Sequence, residues 1–320
     1  ALRQQHAGTR VLQPTVKSHL AFTLLCALVM MVMFTLLRVA LLVYNREMIL
    51  DTPASTFLEA FANGLRFDLR IVVYLSIPLL LPLLSVKAMV QRGVMRFWLT
   101  AASSLALFLG LMEMDFYREF HQRLNGLVFQ YVKEDPKTVM SMLWYGFPVV
   151  RYLLAWAVGT VVLYFAFRAA DRVTRPQLPA AGTGAIRAAA PWYTRIAVFV
   201  VVLLVCVVAA RGTLRQGPPL RWGDAYTTDS NFANQLGLNG SLSLIAAAKS
   251  RFSDERPNIW KATLEDPVAV STVREMLLTD NDKLVDPDTA PVRRDTTPPA
   301  EKTLPIKNVV VILMESFAGH

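Results

Sequence analysis

The stretch LAFTLLCALVMMVMFTLLRVALLVY, residues 20–44, decides the fold of this chain. It is long enough to cross a bilayer, which takes about 20 predominantly apolar residues. It is too long for a cleaved signal peptide, it contains Arg38, and no small-x-small exit precedes Tyr44. The stretch therefore predicts an uncleaved membrane anchor.

Four further apolar stretches follow, at about residues 69–86, 97–112, 149–167 and 196–210. Hydrophobic residues make up 54% of the chain and charged residues 18%, a balance that is unusual for a soluble protein. Two prolines inside the second stretch, Pro78 and Pro82, predict a kink there, which membrane helices tolerate when neighbours bond the freed carbonyls. The sequence predicts an α-helical membrane domain of five spans over residues 1–211.

The positions of the basic residues predict the topology, because Lys and Arg in short loops stay on the cytoplasmic side. Residues 1–18 and 87–96 carry three basic residues each and no acid, and residues 168–195 carry five Arg against one Asp. The loops 45–70 and 113–147 together carry seven basic and nine acidic residues. We expect a protein of the inner (plasma) membrane with a cytoplasmic N-terminus and a periplasmic or extracellular C-terminal domain.

The net charge of +9 arises in the membrane part, since residues 212–320 carry 12 basic and 14 acidic residues. A nucleic-acid-binding domain would need a basic face in its soluble part. The charge distribution therefore argues against a nucleic-acid partner.

The first outer loop ends in Arg66-Phe67-Asp68-Leu69-Arg70, just before the second predicted span. In one interpretation Arg66 and Arg70 are snorkelling anchors at the membrane surface, with Asp68 as their partner. In the other, the three residues bind a lipid head group, because a planar guanidinium suits a phosphate. Both interpretations stay open at this point.

The second outer loop contains a helix-start pattern, Glu134-Asp135-Pro136, followed by aromatic residues that include Trp144 and Tyr145. We expect a helix lying along the outer membrane surface, with these two side chains in the aromatic belt.

Residues 212–303 are expected to form an extracytoplasmic linker. Hydrophobic spacing predicts helices at about 228–249 and 267–279, and five prolines in Asp286–Pro305 predict a flexible or extended connector. The linker leads into a buried strand, Val309–Met314, that stops at Glu315.

Ligands of open α/β sheets lie just beyond the carboxyl ends of such strands, so Glu315 is a candidate metal ligand. The alternative is an acid at the N-terminus of a helix, which the helix dipole favours. Ser316 is a second candidate, as a nucleophile at the strand end.

The run from Asn308 to Phe317 resembles the opening strand and metal-binding acid of the lipoteichoic acid synthase family, membrane-anchored members of the alkaline phosphatase/sulfatase superfamily. The five spans with an outside C-terminus agree with that family. So do Gly64-Leu-Arg-Phe-Asp-Leu69, Arg211-Gly212 and Asn234-Gln-Leu-Gly-Leu-Asn239. The ending Ala318-Gly319-His320 is more similar to Gram-negative members.

The resemblance implies that residues 304–320 begin a sulfatase-like catalytic domain, of which the chain holds only the start. It implies a phosphoglycerol transferase that moves glycerol phosphate from phosphatidylglycerol to a glycan or glycolipid acceptor through a threonine beyond this chain. Glu315 would be the first ligand of a divalent metal, Mn²⁺ or Mg²⁺ by its oxygen donors, or Zn²⁺ with added His ligands. The chain as given would lack the nucleophile and be inactive.

Two other functions suit the same anchor. One is a phosphoethanolamine transferase to a lipid such as lipid A, because head-group specificity would lie in the catalytic domain. The other is a non-catalytic, lipid-sensing membrane scaffold that has kept the fold without the chemistry.

Overall fold

The computed structural model describes residues 15–49, 52–131, 134–175, 190–213, 218–252, 264–297 and 308–311. The chain divides into two compact units, residues 1–252 and 253–320. The described part of the first unit is helical. In chain order its α-helices are α1 (Val16–Tyr44), α2 (Ala54–Leu80), α3 (Val86–Val90), α4 (Arg92–Phe120), α5 (Val128–Tyr131), α6 (Pro136–Gly146), α7 (Val149–Thr174), α8 (Trp192–Arg211), α9 (Asn231–Leu236) and α10 (Gly240–Phe252).

Among the described residues, five helices are long and apolar enough to cross a membrane. They are α1, α2 with its 3-10 extension Leu81–Leu84, α4, α7 and α8. Each one covers most or all of one apolar stretch of the sequence, so the prediction of five membrane-spanning helices is confirmed at the level of length and composition.

The largest difference from the predicted bounds is at the start of α2, which begins at Ala54 rather than Leu69. Arg66, Asp68 and Arg70 therefore lie inside a helix and not in a loop before it. Hydropathy places a boundary wherever charges occur, whereas a helix continues through charges whose partners are supplied by neighbouring elements. For the same reason α4 runs past its predicted end and ends at Phe120.

The helix α1 lies at the centre of the bundle and packs against α2, α4 and α7. The helices α4 and α7 pack along each other, and α8 lies against α2 and the 3-10 turn. Their shared core includes Phe22, Met30, Leu79, Leu99 and Phe167, all with 0% exposure.

The two prolines lie near the end of α2. Pro78 lies inside the helix, and at Leu81 the α-helix gives way to the 3-10 turn that contains Pro82. Each proline removes a backbone donor. The ring Nε2 of His19 in α1 lies 2.7 Å from the carbonyl oxygen of Leu79 and can donate to it, so a neighbouring helix bonds backbone at the break.

The helix predicted at the Glu134-Asp135-Pro136 pattern is confirmed as α6. Its N-cap is Asp135, whose carboxylate accepts a 2.9 Å bond from the Thr138 amide, and Pro136 occupies the first turn. Trp144 and Tyr145 are exposed, which is compatible with the predicted aromatic belt.

The segment after α8 is helical, but the single helix predicted at 228–249 is two helices, α9 and α10. The break lies at Gly237–Asn239, because the side-chain oxygen of Asn239 accepts bonds from the amides of Ser241 and Leu242 and starts a new helix. Both helices belong to the first unit; α9 packs against α1 and α2, and α10 packs against α2 and α4.

The second unit contains α11 (Asp266–Leu277) and a two-stranded antiparallel sheet of β1 (Asp282–Leu284) and β2 (Arg294–Thr296) among its described residues. The helix agrees with the prediction at 267–279. The strand β2 falls within the stretch predicted as a flexible or extended connector, so part of that stretch is ordered by pairing.

Of the predicted strand Val309–Met314, the structure describes only Val309, Val310 and Val311, which are exposed and carry no strand assignment. The sulfatase-like domain is therefore not seen in the described residues. Glu315 and Ser316 lie outside them.

Candidate functional site

The three residues proposed for a lipid head group do not form a unit. Asp68 is fully buried and makes a two-bond ion pair with Arg38 of α1, Nη1 to Oδ2 at 2.7 Å and Nη2 to Oδ1 at 2.9 Å. The interpretation in which Asp68 pairs with Arg66 and Arg70 is wrong. The reason is that Asp68 faces α1, where a bidentate guanidinium can reach both carboxylate oxygens.

The two arginines beside Asp68 bind backbone of the chain that leaves α8. Arg66 Nε donates to the carbonyl of Gly212 at 3.1 Å, and Arg70 Nη1 donates to the carbonyl of Leu220 at 2.7 Å. Gly212 has φ of 69°, a left-handed value that ends α8 and turns the chain back over α2. The described contacts of Arg66 and Arg70 therefore hold the exit of the fifth helix.

A second buried ion pair lies next to the first. Arg123, just beyond α4, donates through Nη1 to Oε2 of Glu113 at 2.8 Å, and the amide of Leu124 donates to Oε1 at 3.2 Å. Both charged side chains are about 5% exposed. Burial lowers the pKa of Arg123, and the adjacent Glu113 carboxylate opposes that shift.

The two ion pairs are joined by residues at the end of α9 and between α9 and α10. Arg38 Nε donates to the Leu236 carbonyl at 2.9 Å, Arg123 Nη2 donates to the Leu238 carbonyl at 2.5 Å, and Asn239 Nδ2 donates to Asp68 Oδ1 at 2.8 Å. We call this set the linker cluster: Arg38, Asp68, Glu113, Arg123 and Asn239. It surrounds a cavity of about 20 Å³, which is room for about one water molecule.

Two glycines permit this close approach. A Cβ on Gly64 would lie 2.2 Å from Cζ of Arg38, and a Cβ on Gly240 would lie 2.1 Å from Oε1 of Glu113. Real Cβ atoms do not come that close to another group. The linker cluster thus requires glycine at both positions.

A different charge cluster lies where α1 and α4 begin and α7 ends. We call it the Asp171 cluster: Arg92, Arg96, Asp171 and Arg175. Arg92 Nη1 lies 3.2 Å from Asp171 Oδ1, and Arg92 Nη2 also donates to the Ser18 hydroxyl at 2.6 Å. Hydrogen bonding to Asp171 raises the pKa of Arg175, which is mostly exposed.

The sequence pointed to Asp68 but missed Glu113, Arg123 and Asn239. Arg123 and Glu113 fall within residues 113–147, which the sequence predicts as a loop, and their separation of ten residues gives no helical signal for a contact. Asn239 carried a detectable signal, since Asn followed by Gly240 before an apolar run is typical of a helix start.

In the linker cluster each carboxylate oxygen of Asp68 and Glu113 accepts at least one bond and faces a guanidinium inside the protein. Its arrangement suits positioning and not group transfer. Within the described ranges, no group of three or more His, Cys, Asp or Glu side chains is arranged to hold a metal ion.

The fold and this site define a class: a helical chain with five helices suited to a membrane, whose following segment docks on buried ion pairs. No protein-family model matches the chain, and no solved structure matches it.

Proposed function

We propose that this chain anchors and positions the catalytic domain of a membrane-bound phosphoglycerol transferase. The observation that carries the proposal is the strand-like run Asn308–Met314 followed at once by Glu315, with its resemblance to the lipoteichoic acid synthase family. The five apolar helices support the anchoring role. The acceptor would be an envelope glycan or glycolipid.

The linker cluster supports a positioning role. It ties the chain after α8 to α1 and α2 through bonds from Arg38 and Asn239, so residues 236–239 are held against these helices. An enzyme acting on a lipid head group needs its reacting groups held at a set height above the membrane. A loose tether would not supply that.

The chemistry would belong to residues from Glu315 onward. The carboxylate of Glu315 is a hard oxygen ligand suited to Mn²⁺ or Mg²⁺. Such a metal would offset charge on the phosphoryl oxygens and lower the pKa of a bound hydroxyl. The nucleophile would be a threonine beyond this chain.

The proposed location is the inner membrane with the N-terminus on the cytoplasmic side. Three arginines against one acid in the Asp171 cluster, at one end of α1, α4 and α7, support this orientation. The linker cluster, at the other end, would then face outward.

The test measures diacylglycerol release from labelled phosphatidylglycerol by the complete protein in detergent, with and without Mn²⁺. We expect metal-dependent release that Glu315→Ala abolishes. Glu301→Ala, an acid of the preceding connector, is the matched control and should retain release.

Release from phosphatidylethanolamine in place of phosphatidylglycerol would replace the proposal with a phosphoethanolamine transferase. Release from neither lipid, in protein that remains folded, would replace it with a non-catalytic membrane scaffold.

A further inference from the structure

An apolar groove runs between α1 and α7, with α4 as its floor. Its volume is about 510 Å³, and every side chain lining it is apolar. This volume falls within the about 300–1,000 Å³ typical of small-molecule sites. The groove lies along the middle and the linker-side half of α1, from Leu28 to Ala40.

Small residues create the groove. Ala40 on α1 and Ala166 on α7 line its two walls, and Gly159 lets α7 approach α4 closely. A Cβ on Gly159 would lie 2.5 Å from Cδ2 of Leu107, so the two helices are in close contact at this position. The groove is open to the surroundings of the helices, since the wall residues Leu28, Val32 and Leu36 are at least half exposed.

A polar group lies along the helices beyond the Ala40 end of the groove, and its residues are not among those that line the groove. Tyr44 lies one turn beyond Ala40, and Tyr152 lies about two turns before Gly159 on the same face of α7. Their hydroxyls donate to the two carboxylate oxygens of Asp115 at 2.5 and 2.6 Å.

The charge at this end is not balanced inside the protein. In the part of the chain that the structure describes, no Lys or Arg lies within ion-pair distance of Asp115, whose residue is 9% exposed. A carboxylate has about four acceptor positions, and the two tyrosines use two of them. Arg118, one turn further along α4, is half exposed, lies over the Tyr44 ring with Cζ 6.0 Å from its centroid, and makes a 3.9 Å contact with the exposed Glu47.

We propose that this groove holds an ethanolamine phospholipid, with one acyl chain between α1 and α7 and the head-group ammonium at Asp115. An acyl chain matches the apolar walls, and the ammonium supplies the cation that Asp115 lacks at the membrane edge. Arg118 lies one turn along α4 from Asp115, where its guanidinium can contact the phosphate.

This lipid is a resident of the anchor and not the donor of the proposed reaction. Apart from the groove and Asp115, the inference requires only that the five helices cross a membrane. It does not depend on transferase activity.

The test uses native mass spectrometry of the complete, delipidated protein in detergent, with phosphatidylethanolamine or phosphatidylglycerol added at equal concentration. We expect one retained phosphatidylethanolamine and about tenfold weaker retention of phosphatidylglycerol, a difference of about 1.4 kcal/mol. Asp115→Asn should remove that preference, because the amide keeps an acceptor for a tyrosine and loses the charge.

A groove-filling variant separates a site from general lipid adhesion. Ala166→Trp should reduce retention about tenfold, whereas Val161→Trp, on an exposed part of the same helix, should leave it unchanged. If Ala166→Trp does not fold, Ala40→Trp fills the groove from the opposite wall.

A photoreactive acyl chain on phosphatidylethanolamine supplies a measurement that needs no variant. Crosslinks concentrated on groove residues of α1 and α7 support the proposal. Crosslinks spread evenly over the exposed faces would overturn it. So would equal retention by Ala166→Trp and Val161→Trp, a preference of the wild type for phosphatidylglycerol, or a dimer that occupies the groove with a second copy of the chain.

Discussion

The two charge clusters of the helical unit differ in balance. The linker cluster sets two arginines against two acids, and all four side chains are at most 5% exposed. The Asp171 cluster sets three arginines against one acid, and one of the three, Arg175, is 61% exposed. Charges that neighbour apolar helices can be fully buried only when they are paired, whereas an excess must reach water or lipid head groups.

The difference in charge balance indicates that the two clusters have different roles. The balanced cluster fixes the linker to the helices, since both of its arginines also donate to linker carbonyls. The unbalanced cluster marks one end of the helices as basic, which is the property that sets orientation in a membrane. The experiments below would break or sharpen that contrast.

The largest effect is expected from Asp68→Ala. It leaves the buried Arg38 without its carboxylate and Asn239 without an acceptor, at a cost of about 3–5 kcal/mol in the free energy of unfolding. The measurement is denaturant or thermal unfolding of the chain in detergent. Glu59→Gln, an exposed acid of the same helix, is the control and should change little.

Replacing both Arg38 and Asp68 tests whether their ion pair adds to the free energy of unfolding or only determines which residues meet. Arg38→Met with Asp68→Leu should recover most of the loss, because a buried pair and an apolar pair of similar volume are often close in free energy. A double variant as unstable as Asp68→Ala would contradict this account.

An intermediate effect is expected from Gly240→Ala. The new Cβ would overlap Glu113, whose carboxylate is held by Arg123 and Leu124, so the linker must shift away from the helices. Overpacking of this kind costs about 1–3 kcal/mol. Hydrogen exchange in α9 and α10 should rise.

The matched control is Gly223→Ala, where an added Cβ meets nothing within 4 Å. Equal exchange in the two variants would show that the linker does not depend on the linker cluster.

A small effect is expected from Arg175→Ala in the Asp171 cluster. Arg175 bonds both oxygens of Asp171 but is mostly exposed, so its removal should cost about 0–1 kcal/mol of unfolding free energy. Unfolding in detergent provides the measurement. A loss as large as that of Asp68→Ala would remove the distinction between the two clusters.

The sequence predicted the five helices and the start of α6 because apolar length and a cap residue are local signals. It did not predict the start of α2 or the partner of Asp68. The partner of Asp68 is Arg38, thirty positions away in sequence, which also bonds Leu236, far beyond both. In a hydropathy profile a charged residue marks the end of a span. In the fold, Asp68 lies inside α2 and its partner Arg38 lies in α1.

The prediction of a single helix over α9 and α10 was wrong for a related reason. Apolar spacing continues through the break, but the side chain of Asn239 donates to Asp68 and caps α10. The site at Glu315 stays a prediction.

The smallest effect is expected in the second unit, where hydroxyls and an amide bond the carboxylate of Asp282 and the partly exposed Arg294 lies 3.4 Å from it through Nε. The side chain of Asp282 accepts bonds from the hydroxyl of Thr296 and from the amide and hydroxyl of Thr279. These bonds lower the pKa of Asp282 to about 2 from its ordinary 3.8.

A carboxyl whose pKa is lower in the folded state stabilises the fold above its ordinary pKa and loses that contribution as the pH falls through the lowered value. Digestion by pepsin should therefore be slower in wild type than in Asp282→Asn at pH 4 across residues 279–297. The difference should shrink as the pH approaches about 2. A difference that persists undiminished at pH 2 would mean that shape, and not the charge of Asp282, holds β1 against β2. This region would then differ from the linker cluster in kind, and not only in burial.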